Sequence, residues 1–443
     1  MVIIVLISIF FASRFFKLMA MPVFLDETLY IRWLNSIHQS GDWLLPLKEF
    51  GWEPLNIWLS VLTNRFISDP LFSLRVTAVF FGFLLLLAVI NIGSWKTGLL
   101  VIFSPVILLY DRLGLRGDNA VVFFSALVFI GLKQKLINKK NQGIYLASLG
   151  IILGLLTKTT AAVLPISTLL SYLIFRPRLN RHDFIAGGLC FLPGLFYWLS
   201  GMLTEVVNKK DTFFSLISLG QIKSNLIESL PWFWQYLTWP VCLLAVLGVL
   251  VLIWRRHPEI RILLAIWLSS FILIIGFAKI VSPRYWLIIY FFTLVVAGYG
   301  WQWLIEKLPK SFRLLTLIFI IPGILFSWQI ISQPEKAPLP EIERWQYVTG
   351  WPSGYGLKEL VEYLKSDQPS VLVTEDNDLI KSGLPYLWPE HPFIITHTAT
   401  ASAYFVSNIN NQLPDNLTGR LLKEFPRPGG KSSIKLFHII SIE

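Results

Sequence analysis

Phe72-Ser-Leu-Arg75-Val-Thr-Ala-Val-Phe-Phe-Gly-Phe-Leu-Leu-Leu-Leu-Ala-Val-Ile-Asn-Ile92 decides the fold class. A helix crosses the hydrocarbon core with about 20 mostly apolar residues, each rising about 1.5 Å. This run has that length and a single charge, Arg75. The pattern recurs along the chain. Residues 1–20, 183–203, 236–254, 262–279, 284–304 and 312–331 are runs of similar length, and 97–110, 119–132, 143–157 and 160–175 are shorter ones. Together they predict an α-helical polytopic membrane protein with about eleven transmembrane helices. Composition agrees: 15% of the 443 residues are charged, against roughly a quarter in a soluble domain, so most of the surface cannot face water.

The net charge of +11 does not point to nucleic acid, because the basic residues stand in short breaks between apolar runs. Such breaks mark loops beside anionic headgroups. Lys96, the 133–140 lysines, Arg176 to Arg181, Arg255 to Arg261 and Lys307 to Arg313 are densest on alternate loops. That density places the N-terminus in the cytoplasm, with Arg14 and Lys17 as mild counter-signals. An odd number of spans then leaves the C-terminus outside. Cys190 and Cys242 lie inside apolar runs, which excludes a disulfide framework or a thiolate metal site.

From Gln333 the texture changes. A linker with Pro334, Pro338 and Pro340 leads into globular patterning. Leu357, Leu360, Val361 and Leu364 share one helical face, and residues 370–374, 393–396 and 434–440 read as strands. The chain therefore divides into a membrane domain, 1–332, and a small extracytoplasmic α/β soluble domain, 333–443. The latter carries no phosphate loop or nucleophile motif and reads as a lid or partner-binding appendage.

Candidate chemistry begins in the first outer loop, 21–70. Asp26 and Glu27 follow the first span directly, and Tyr30, Trp33, Leu34 and Ile37 then recur at helical spacing up to Gly41. That pattern predicts a helix lying in the membrane interface, with two carboxylates near the headgroup plane. Acids so close to hydrocarbon are functional by default, although Asp26 could also simply cap the helix. A second cluster is Asp111-Arg112-Leu-Gly-Leu-Arg116-Gly-Asp118, in which Asp118 could equally N-cap the next run. Lys158 stands at a span end, where it either snorkels or pairs with a phosphate. Ser282-Pro-Arg284-Tyr285 is the fourth cluster. All four map to one face of the membrane. Carboxylates that accept a proton, with cations that stabilise a departing phosphate, suit transfer of a sugar from a lipid phosphate.

The order of these features resembles the GT-C glycosyltransferases of the protein O-mannosyltransferase and lipid A aminoarabinose transferase superfamily. The Asp-Glu pair, Tyr30 and Trp33, Gly51-Trp-Glu53-Pro54, Ser73-Leu-Arg75, Asp118, Leu156-Thr-Lys158 and Pro283-Arg-Tyr285 carry it, through about residue 305. The resemblance implies a GT-C fold, a polyprenyl-phosphate-linked donor and inverting transfer on the outer face, with the acceptor open between protein, lipid and glycan. It implies Asp26 as catalytic base, Glu27 beside it and Asp118 as the second-loop acid. Lys158 and Arg284 become the phosphate-side cations, with Tyr30, Glu53, Arg112, Arg116 and Tyr285 as further substrate-binding residues. Glu53 departs from the pattern, since related bacterial enzymes often have lysine there. The first outer loop has no Asp-x-Asp motif, so no metal cofactor is expected; Asp376-Asn-Asp378 lies in the soluble domain. Compact loops lean toward a bacterial plasma membrane. The rival readings are a transporter or flippase of lipid-linked sugars, disfavoured by the lack of an internal repeat, and an inactive membrane scaffold.

Overall fold

The computed structural model describes residues 1–114, 117–204, 218–366, 371–374, 377–391, 394–396 and 403–442. Six helices among them are long and apolar enough to cross a membrane: Pro70–Ile92, Asp118–Ile137, Arg181–Ser200, Glu259–Phe277, Pro283–Lys307 and Lys310–Ser332. Leu219–Leu237 and Trp239–Trp254, bent by 100° at their junction, make a seventh if taken as one span. Val2–Phe15, Gly143–Leu155 and Thr159–Phe175 are apolar but shorter. The count by length therefore falls below the number of apolar runs. The run at 97–110 shows why: it splits into Trp95–Ile102 and Pro105–Asp111, because Pro105 has no N–H to continue the ladder.

Charged loops gather at the two ends of the bundle. At one end Lys133 pairs with Glu259 (3.2 Å), Lys135 with Asp183 (2.9 Å) and Arg255 with Glu306 (3.2 Å). The Asp118–Leu132 helix runs from that end to the other, where Asp118 pairs with Lys158. Close packing comes from small residues. A Cβ on Gly248 would strike the Val296 carbonyl, and one on Gly300 the Leu244 carbonyl. The Trp239–Trp254 and Leu287–Lys307 helices thus cross backbone to backbone.

The bundle also encloses charge. Arg14 and Asp111 are both fully buried and paired at 3.0 Å, and Arg14 Nη1 also donates to the Ile102 carbonyl (2.7 Å). Arg14 is therefore an interior partner, not a loop charge that bears on orientation. Gly82 lies against this pair, and a Cβ there would fall on the Asp111 carboxylate. Gly82→Ala is expected to lower stability by about 1–3 kcal/mol through overpacking. Gly187→Ala, which meets open space within a helix, should be neutral or mildly stabilising. Thermal melting in detergent checks both.

After Ser332 the chain forms the short Glu341–Arg344 helix, a π-turn at Trp345–Thr349 and the Leu357–Leu364 helix. The last of these buries Leu357, Leu360, Val361 and Leu364. Five strands follow: β1 (Val371–Thr374), β2 (Ile394–Thr396), β3 (Tyr404–Ser407), β4 (Leu417–Pro426) and β5 (Ser433–Ile442), with helix Asp378–Leu387 between β1 and β2. They form one mixed sheet in the order β2-β1-β3-β5-β4, with β1 parallel to β2 and β3, and β5 antiparallel to β3 and β4. Ser370 and Phe393, expected in strands, lie outside the described residues, as does Asp376.

The amphipathic segment forms helix Leu25–Ser40, closed by Gly41 in the left-handed region (φ 71°). Its apolar face is covered by protein. Tyr30, Trp33, Leu34 and Ile37 are all buried, in one apolar core with Ile57 and Val61 and with Leu357, Ile380 and Leu384 of the C-terminal part. Thr28 donates to the Asp378 carbonyl (3.2 Å), and the Leu25 N–H to that of Pro352 (3.0 Å). Apolar spacing fixes which face is buried but not whether lipid or protein covers it.

Candidate active site

Asp26 is the second residue of the Leu25–Ser40 helix, and its neighbour Glu27 does the capping. Glu27, at the third helical position, accepts from the Phe24 N–H at 3.4 Å. Asp26 is thereby left with its side chain 23% exposed and paired to Arg284 Nη1 at 3.1 Å. Arg284 stands on the Pro283–Trp286 turn that heads the Leu287–Lys307 helix. Its guanidinium carbon lies 5.5 Å from the Tyr285 ring centre. On the same ring, 5.4 Å from its centre, sits the Lys158 ammonium. Lys158 occupies an extended break (φ −164°, ψ 143°) before the Thr159–Ala162 turn, and there it pairs with Asp118. Asp118 opens its helix just after Gly117 in the left-handed region (φ 70°), where the helix dipole favours a negative charge.

The result is a continuous arc, Asp26–Arg284–Tyr285–Lys158–Asp118. Two carboxylate–cation pairs share one aromatic ring, which also attracts both cations. Within this arc Asp118 Oδ2 and Arg284 Nε are buried without a hydrogen-bond partner among the described residues. Glu53 borders it: its carboxylate accepts from the Thr159 hydroxyl, and the Leu55 N–H donates to the Leu156 carbonyl (3.1 Å).

Other candidates lie elsewhere. Glu27 is fully buried, gripped by Arg75 through two bonds of 2.9 and 2.8 Å, and also accepts from the Gly114 N–H (2.8 Å). Both of its oxygens are engaged within the fold. Arg112 spends its guanidinium on the carbonyls of Ser13, Arg14, Phe16 and Lys17, closing the end of the first helix. Tyr30 is buried against Trp33 and Trp52. None of these three joins the arc of Asp26, Arg284, Tyr285, Lys158 and Asp118. Arg116 lies outside the described residues.

Three residues not singled out for the site complete its surroundings. Arg75 is the grip on Glu27, and a lone arginine inside an apolar run is itself a signal of a buried partner. Glu343 and Tyr347 arrive from the segment after the last span. Glu343 is buried and accepts from the Tyr110 hydroxyl. Burial pushes its carboxyl up to about 8; the Tyr110 hydroxyl opposes the shift and the Asp118 charge adds to it. The Tyr347 hydroxyl lies in the electrostatic field of Glu343, Arg284, Asp26 and Asp118. Their signal was an acid and a tyrosine four residues apart, one helical turn, in a stretch that reads as a linker. Among the described residues no group of three or more His, Cys, Asp or Glu side chains could hold a metal ion.

No family model matches the chain, and no curated protein matches it. Solved structures do. The apo structure of ArnT from Cupriavidus metallidurans aligns with a TM-score of 0.61 at 12% identity, covering 98% of this chain and 97% of that one. The chain has the ArnT fold. The structure of the same ArnT bound to undecaprenyl phosphate aligns with a TM-score of 0.64 at 13% identity and the same coverage. At such identities the likeness is one of architecture, and it extends end to end, through the membrane helices and the C-terminal sheet. The GT-C-like fold expected from the order of motifs is thus the fold of the molecule, and in this chain the Asp26–Asp118 arc is built on an ArnT framework.

Proposed function

We propose that the protein is a membrane glycosyltransferase that moves a sugar from a polyprenyl-phosphate donor to an acceptor on the outer, periplasmic face of a bacterial plasma membrane. The observation that carries this is the pair of carboxylate–cation contacts sharing the Tyr285 ring. Without ligand, Asp26 and Asp118 neutralise Arg284 and Lys158. A phosphate arriving between the two cations competes for them as counter-ion and frees the carboxylates at the moment a base is needed. Asp26, the more exposed of the two, then takes the acceptor hydroxyl proton. The acceptor oxygen attacks the anomeric carbon as the bond from that carbon to the phosphate oxygen breaks. The electron pair leaves with polyprenyl phosphate, held by Arg284 and Lys158. Attack opposite the leaving group inverts the anomeric centre. Glu27 positions rather than reacts: fixed by Arg75, it holds the helical turn that carries Asp26. Glu53 and Tyr285 line the cation side. That the ArnT of the same fold was solved with undecaprenyl phosphate bound supports the lipid class of the donor.

The test is a transfer assay on the full chain in liposomes with a panel of polyprenyl-phosphate hexoses and pentoses, following free polyprenyl phosphate. Release that depends on protein and acceptor is expected. Movement of intact donor across the bilayer without release would instead support a flippase.

A further inference from the structure

The arc of carboxylates and cations accounts for the phosphate and the base but not for the sugar, and the segment just after the last span lies beside it. Its Trp345–Thr349 stretch is a π-turn, a form often found at functional sites. The stretch is fastened against the start of the Asp26 helix. The Tyr347 ring meets Phe24 edge-on at 5.0 Å, and the Pro352 carbonyl accepts from the Leu25 N–H. Glu343 and Tyr347, one turn apart, are buried, yet Glu343 Oε2 and the Tyr347 hydroxyl have no hydrogen-bond partner among the described residues. Asp118 Oδ2 is in the same state. Buried polar atoms are almost always partnered, and leaving one unpaired costs about 1–3 kcal/mol. With Arg284 Nε, a donor, these make four such atoms around one arc, a place where a ligand completes the bonding.

The chemistry of the first three selects the ligand. Asp118 Oδ2 accepts; the Glu343 carboxyl, which burial pushes up to about 8, and the Tyr347 phenol can each donate or accept. A phosphate, which carries charge and only accepts, would meet repulsion from Asp118 and leave its Oδ2 without a donor. Neighbouring hydroxyls of a sugar ring, which donate and accept, fit: one donates to Asp118 Oδ2 and others exchange bonds with the Glu343 carboxyl and the Tyr347 phenol.

The geometry points to Glu343 and Tyr347, with Asp118 Oδ2, as the pocket that hydrogen-bonds the hydroxyls of the transferred sugar, making the post-span turn a determinant of donor specificity. This rests on the transferase reading. Burial holds the Tyr347 phenol well above its ordinary pKa, so it keeps its proton as a donor across the working range.

The experiment measures binding by the full chain in nanodiscs, with bare polyprenyl phosphate and a panel of polyprenyl-phosphate sugars as probes. The wild type should bind at least one sugar-bearing donor more tightly than the bare lipid. Tyr347→Phe and Glu343→Gln should each weaken that donor about tenfold while the bare lipid stays within about twofold. A donor lacking the contacted hydroxyl should bind wild type and Tyr347→Phe alike. Equal weakening of both lipids would reveal a merely structural role and overturn the inference. So would unchanged binding, or a panel in which no sugar adds affinity. Tyr347→Phe keeps the ring against Phe24 and carries the test if Glu343→Gln fails to fold. Failure of the transferase reading looks different: sugar-dependent binding intact in the wild type, but no release of polyprenyl phosphate with any acceptor.

Discussion

Asp26→Asn is expected to slow release of polyprenyl phosphate by about 10²–10⁴-fold, the usual contribution of a positioned general base. The substitution preserves shape and can still accept one hydrogen bond from Arg284, so the pair at 3.1 Å is weakened without being emptied. Asp26 is partly exposed and caps nothing, since Glu27 performs that task. Melting temperature should therefore change little. The decisive reading is the combination: donor binding near the wild-type value, melting near the wild-type value, turnover lost. Turnover equal to wild type would remove Asp26 from the chemistry and move the base to Asp118. That alternative has its own signature, because Asp118 is nearly buried and salt-bridged to Lys158. Asp118→Asn would then combine loss of turnover with loss of stability.

Glu27 should behave in the opposite way to its neighbour. Both Glu27 and Arg75 are fully inaccessible and joined through two short bonds. Removing one partner of such a pair strands the other charge and costs about 3–5 kcal/mol. Arg75→Met is expected to show that loss, since Glu27 would keep only the Phe24 and Gly114 N–H groups. Glu27→Met strands the guanidinium and should cost a similar amount. The double variant, with neither charge, should recover much of the deficit, because apolar groups of similar volume replace buried ion pairs at little cost. Thermal melting of the three variants in detergent decides it. If Glu27→Met melts like the wild type yet loses turnover, Glu27 is a reacting group and its positioning role fails.

The contrast between these adjacent residues shows how far the chain could be read in advance. Asp26, Asp118, Lys158, Arg284 and Tyr285 were singled out at separate helix ends, and the structure brings all five into one arc. Each follows or opens an apolar run, so its depth in the membrane is set by residues a few positions away. Glu27, Tyr30 and Arg112 satisfied the same local criterion and went elsewhere. Glu27 met an arginine 48 positions along the chain, Arg112 met the carbonyls ending the first helix, and Tyr30 met Trp52. Glu343 and Tyr347 were passed over because a proline-rich stretch reads as a spacer, and nothing local reveals that it folds back on the acid arc.

By itself, the sequence determined the helical membrane architecture, the small α/β part at the C-terminus and the end of the bundle where charge chemistry collects. Run length, period and the placement of charge are properties of neighbouring residues, and the cost of exposing apolar surface or burying a lone charge acts on them directly. Only the tertiary structure decided which of two adjacent carboxylates joins the arc, which arginines are consumed inside the fold and which tyrosine ring the two cations share. Those outcomes depend on partners brought together over separations as long as the 258 positions between Asp26 and Arg284. A buried charge is stable wherever a counter-charge reaches it, and packing, not spacing along the chain, chooses that partner.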